Sequence, residues 1–70
     1  MSAVKLKALL GKNWFVEVWP GVEGYINIGL GQESKQTALA TTYEVLLALP
    51  RDGALNLVQV LEMVIKGAEN

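Results

Sequence analysis

The residues with the most evident chemical potential are aromatic and basic side chains at alternate positions in the first part of the chain. Lys5 and Lys7 are two residues apart. In the next apolar segment, Phe15 and Trp19 are four residues apart, which is also an even spacing. Alternate residues of a strand lie on one face. A sheet face of rings and cations can stack bases and neutralise phosphates, as single-stranded nucleic-acid binders do. The candidate binding face comprises Lys5, Lys7, Phe15, Trp19, Tyr25 and Asn27, with Glu17 among them.

The same aromatic residues also have a purely structural interpretation. Rings at every second position of a strand usually pack against another part of the protein. The chain has six Lys and Arg against seven Asp and Glu, for a net charge of −1, whereas nucleic-acid binders usually carry a basic surplus. We therefore rank packing, against a second subunit or under the chain termini, ahead of nucleic-acid binding.

Catalytic and metal-binding residues are scarce. The sequence contains no His and no Cys, so it lacks the commonest general base, the strongest nucleophile and the usual zinc ligands. Gly29 and Gly31 stand where a dinucleotide-binding turn would, but Ser34 replaces its third glycine. We expect no catalysis, no metal and no cofactor, and we keep a small enzyme with a site between subunits as a third interpretation.

Three segments have the pattern of strands. Residues 14–19 are aromatic and β-branched, and residues 25–30 follow after a turn rich in proline and glycine. Residues 3–10 alternate in polarity, which favours a third strand. A short helix between Ser2 and Gly11 is the alternative for that segment.

The second half of the chain is predicted to be helical. One helix spans residues 35–49 and ends before Pro50, and a second spans residues 53–66. Together, the elements predict one α+β domain over residues 1–70. It is a small two-layer domain with an antiparallel sheet of two to three strands followed by two C-terminal helices (βββαα). Ile26, Ile28 and Leu30 are expected to face those helices.

The last helix carries more apolar surface than a monomer needs. Its polar residues fall within an arc of about 120°, so its apolar arc is about twice the stripe of roughly 100° that is usual. A chain of this length without disulfides or metals commonly gains stability by oligomerising. We therefore predict a homodimer or higher homo-oligomer, with an interface formed by Leu57, Val58, Val60, Leu61, Val64 and Ile65.

These observations give an expected function. No apolar run approaches the about 18 residues of a membrane span, and the start lacks a signal-peptide core. We expect a cytoplasmic protein that binds itself and another protein or a small ligand, with no membrane partner. The predicted function is a small homo-oligomeric binding or regulatory module without catalysis, such as an adaptor, an inhibitor or a ligand-binding protein. The alternative is a single-stranded nucleic-acid binder that uses the aromatic and lysine residues.

Overall fold

Four antiparallel strands follow one another in a single sheet. The computed structural model of the protein describes residues 4–68. The strands, β1 (Leu6–Leu9), β2 (Trp14–Pro20), β3 (Ile26–Gln32) and β4 (Val45–Leu49), pair in the order β1-β2-β3-β4. Short 3-10 turns occupy Val22–Gly24 and Glu33–Lys35, and one helix, α1 (Arg51–Ala68), follows β4. The predicted α+β class is confirmed, with four strands and one helix in place of the predicted two to three strands and two helices.

The three predicted strands are present with shifted ends. Segment 3–10 forms a strand over Leu6–Leu9 rather than a helix, and residues 1–3 lie outside the described residues. The strands predicted at 14–19 and 25–30 extend to Pro20 and Gln32. Gly11 links β1 to β2 with a φ of 109°, a left-handed conformation that glycine adopts without steric cost.

The predicted helix over residues 35–49 is wrong. Side chains there bind backbone groups that a helix would use: the Thr37 hydroxyl accepts bonds from the Leu39 and Ala40 amides, at 3.3 Å each. The Gln36 side-chain carbonyl accepts a bond from the Thr42 amide at 2.8 Å. Such hydrogen bonds between side chains and nearby backbone groups compete with the backbone hydrogen bonds of a helix. Residues 36–44 therefore form a loop without regular secondary structure.

The end of that predicted helix is instead strand β4. Its sequence, Val-Leu-Leu-Ala-Leu, is a short apolar run, and periodicity alone cannot assign such a run to helix or strand. Pairing with β3 decides the matter, since Leu47 lies opposite Ile28 and Val45 lies opposite Leu30. The pairing gives the backbone groups along that side of β3 hydrogen-bond partners, as buried strands require.

Helix α1 lies beside the sheet and not across it. The helix predicted at 53–66 is confirmed and extends over Arg51–Ala68, but none of its residues is buried. Only Pro50 separates β4 from α1, and its carbonyl already accepts a bond from the Ala54 amide at 3.0 Å. The expected helical layer over the sheet is therefore not formed within the described chain. The radius of gyration, 13.8 Å, exceeds the about 11 Å typical of a compact domain of this length.

Candidate functional site

The strand register gathers most of the predicted binding residues on one side of the sheet. Lys7 lies opposite Glu17, and Trp19 lies opposite Asn27. Residues directly opposite each other share a face. We call this side the aromatic face; it comprises Lys5, Lys7, Phe15, Glu17, Trp19 and Asn27, with Tyr43 packed on it. Tyr25 precedes β3 and is 42% exposed.

The ring of Tyr43 occupies the centre of the aromatic face. It stacks on Trp19 with ring centroids 5.6 Å apart and lies 6.3 Å from the Phe15 centroid. Gly29 makes room for it, because a Cβ at that position would come within 2.6 Å of the Tyr43 ring. Sequence reasoning missed Tyr43. The available signal was the pair of glycines at alternate positions inside a strand, Gly29 and Gly31, which often marks the close approach of another group.

A small polar network fixes Tyr43 in place. Its hydroxyl donates a short hydrogen bond to a Glu17 carboxylate oxygen. The Lys5 ammonium lies 3.5 Å from that hydroxyl and 3.6 Å from the carboxylate. Partial burial, and then the bond to Glu17, raise the pKa of Tyr43 above its ordinary value near 10. The hydroxyl therefore stays protonated and remains a donor at neutral pH.

Both lysines of the face are engaged with neighbouring side chains. The Lys5 ammonium lies 4.5 Å from the centre of the Trp19 ring, and that of Lys7 lies 4.6 Å from the Phe15 ring. Lys7 also pairs with Glu33 at 3.0 Å. These cations lie over rings and beside carboxylates, so the local charge of the face is close to neutral.

Phe15 is covered by the chain itself. Its side chain is only 1% exposed, which makes it the buried hydrophobic residue of the described chain. A Cβ at Gly31 would lie 2.7 Å from both the Phe15 ring and the Thr42 carbonyl oxygen, so the loop passes directly over this point. Phe15 consequently has no ring face open for stacking on a ligand.

Amide side chains hold the covering loop down. The Gln36 amide group donates to the carbonyls of Gln32 and Thr42, at 2.8 Å each. At the loop's start, the Asn13 side chain accepts a bond from the Ser34 amide at 2.9 Å and donates to the Gln32 side chain at 3.1 Å. The loop is thus bonded to the ends of two strands.

The opposite side of the sheet is apolar along most of its length, and its polar end is the row that pairs Trp14 with Gln32. One cross-strand row runs Leu6–Val18–Ile28–Leu47, and the next runs Ala8–Val16–Leu30–Val45. A third row adds Pro20, Ile26 and Leu49. We call these eleven positions the apolar face; none of them carries a charge. Ile26, Ile28 and Leu30 share this face, as expected, but α1 does not cover it.

The predicted interface residues of α1 are all open to solvent in the single chain. Leu57 is 39% exposed and Val64 is 66% exposed, with the others between these values. The described residues include no group of three or more acidic, His or Cys side chains that could hold a metal, and no pocket is found. None of the helices described is long and apolar enough to cross a membrane.

Comparison of the chain with protein-family models, with curated proteins and with solved structures found no significant match. The site is therefore interpreted from its own geometry.

Proposed function

We propose that the protein is a non-catalytic binding module that associates with itself through its apolar surfaces. The aromatic face and the turn at Val22–Gly24 then point outward toward another protein or a small ligand. The chain would act as an adaptor, an inhibitor or a ligand-binding protein. The cytoplasm remains the proposed compartment.

The accessible surface of the chain carries this proposal. A compact protein of 7.6 kDa exposes about 4,300 Å². This chain exposes 5680 Å², which is about 1,400 Å² more than that scaling predicts. Stable interfaces bury about 800 Å² on each partner, and permanent homodimers commonly bury more. The surplus is therefore of the size that a permanent homodimer removes from water.

The stability of a single chain leads to the same conclusion. Ordering a residue costs about 1–2 kcal/mol of backbone entropy, which burial of apolar side chains has to offset. Among the hydrophobic residues of the described chain only Phe15 is buried, while Leu6, Leu46 and Leu61 stay more than half exposed. Association would bury the missing apolar area.

Nucleic-acid binding through the aromatic face receives less support. Phe15 is buried, and Lys5 and Lys7 already pair with carboxylates. Base stacking would need open rings, and phosphate binding would need uncompensated cations. We expect a single-stranded oligonucleotide at low salt to leave the tryptophan fluorescence unchanged; strong quenching that weakens as salt rises would favour this second function.

A pair of charge variants tests self-association. Leu61 and Gln59 lie on opposite sides of α1, about 160° apart. Leu61→Glu should dissociate or unfold the assembly, because an unpaired charge in a buried interface costs several kcal/mol. Gln59→Glu places the same charge on the polar side and should keep the native mass. Light scattering and circular dichroism would check both, and an unchanged mass for Leu61→Glu would show that α1 lies outside the interface.

A further inference from the structure

Two separate apolar surfaces lie on different elements, and no other element among residues 4–68 covers either of them. One is the apolar face of the sheet, whose central row runs through Val18 and Ile28. The other is the apolar arc of α1, centred on Leu61. Sheets and helices with one apolar side are stable when they pack in layers. The two surfaces are thus chemically matched, since each is what the other ordinarily packs against.

The two surfaces do not meet within one chain. The link between β4 and α1 is the single residue Pro50, and the helical bonding begins there. Among the described elements, α1 packs to an appreciable extent only against β4, which is an edge strand. A helix that returned over its own sheet would need a longer connection. The cover for the apolar face must therefore come from outside the described residues 4–68.

The dimensions of the two surfaces fit each other. An α1 of 18 residues is about 27 Å long, and the seven-residue strands β2 and β3 are about 23 Å long. A helix of this length can lie along the whole of the central strands. Its polar residues, which include Gln59 and Glu62, would then face the solvent.

Two copies of the chain can cover their apolar surfaces in three simple arrangements. Two apolar faces packed against each other would leave both helices exposed, and a helix-to-helix contact would leave both sheets exposed. A reciprocal contact of each helix with the other copy's sheet covers both surfaces with one two-fold axis. Two-fold symmetry is the commonest closure of small oligomers. Because it covers both apolar surfaces, the reciprocal arrangement agrees with a surplus of about 1,400 Å² per chain.

We infer that the partner of the apolar face is helix α1 of a second copy of this chain, so that each subunit completes the two-layer fold of the other. This inference rests on the proposed self-association and specifies its geometry. In this arrangement the aromatic face of each sheet lies on the outer surface of the dimer.

Cysteine crosslinking between two different variants tests this arrangement. The natural chain contains no Cys, so engineered thiols report without background. One variant carries Ile28→Cys on the apolar face, and a second, with a mass tag, carries Leu61→Cys on α1. The two are unfolded together, refolded and treated with a short thiol-to-thiol crosslinker. The expected product is a mixed dimer that contains one tagged and one untagged chain, in excess of either self-linked product.

The controls separate the geometry from the association. Gln59→Cys in place of Leu61→Cys should lose the mixed product, because Gln59 lies on the polar side of α1. Self-linking of Leu61→Cys without a mixed product would overturn the inference in favour of a helix-to-helix dimer, and self-linking of Ile28→Cys would indicate packed sheets. In either case the proposed function stands. A parent mass of one chain, with no product in any mixture, would overturn both.

Discussion

The loop over the aromatic face makes Gly31 the position where an added methyl group should do most damage. A Cβ there would lie 2.7 Å from the Phe15 ring and 2.7 Å from the Thr42 carbonyl oxygen. Non-bonded carbon atoms prefer about 3.5–4.0 Å, so the overlap is large on both sides. Phe15 cannot turn outward because it is buried, and the second obstacle is backbone. We expect Gly31→Ala to lower the free energy of unfolding by about 3 kcal/mol, the upper end of the range for overpacking.

Urea unfolding followed by tryptophan fluorescence measures this loss. All variants have to be compared at one chain concentration, because association contributes to the apparent stability. Gly29→Ala is the matched comparison: the three atoms nearest its Cβ would all belong to the Tyr43 ring, the closest at 2.6 Å, so the obstacle there is a side chain and not backbone. Displacing that ring would lose its stacking on Trp19 and its hydroxyl's bond to Glu17, so this variant should cost about 2 kcal/mol, less than Gly31→Ala. If the two variants lost equal free energy of unfolding, or if Gly31→Ala lost none, the conclusion that the loop backbone crosses over Phe15 would be refuted.

Two further predictions concern the same loop. The free energy of unfolding should fall as pH rises above about 10, because the unfolded state releases the Tyr43 proton before the folded state does. Tyr43→Phe should lose this contribution to the pH dependence. Urea titrations at pH 8 and pH 11 measure it, and a difference in the free energy of unfolding that is the same in the variant as in the parent would count against the prediction. Gln36→Ala removes bonds to the Gln32 and Thr42 carbonyls and from the Thr42 amide, so it should cost about 1–3 kcal/mol. Faster hydrogen exchange at the Thr42 amide would report this loosening, and exchange at the parent rate would contradict it.

The sheet could be predicted from the sequence where side-chain periodicity was strong. Alternation at Lys5 and Lys7, and at Phe15, Glu17 and Trp19, placed these residues on one face, and the register agrees. Helix α1 was also predictable from its polar arc. These patterns are local, so neighbouring residues are sufficient to reveal them.

The loop and β4 could not be predicted in the same way. The apolar residues of Val45–Leu49 suit a helix as well as a strand, and pairing with β3, a tertiary interaction, decided between them. The position of Tyr43 on the aromatic face likewise depends on tertiary contacts, those with Phe15 and Trp19, and not on local sequence. The prediction that helices cover the sheet was wrong because the one-residue connection between β4 and α1 restricts the position of the helix. The apolar pattern of the sequence predicts which residues are buried together but does not show this restriction.

Sedimentation equilibrium over a range of chain concentrations is the most direct test of the central claim, that this chain completes its apolar core with other copies of itself. We predict a mass of at least twice 7.6 kDa at micromolar concentration, and loss of tertiary structure, seen in the near-ultraviolet circular dichroism, when dilution dissociates the assembly. A folded species of 7.6 kDa that keeps its tertiary signal at every concentration would contradict the account.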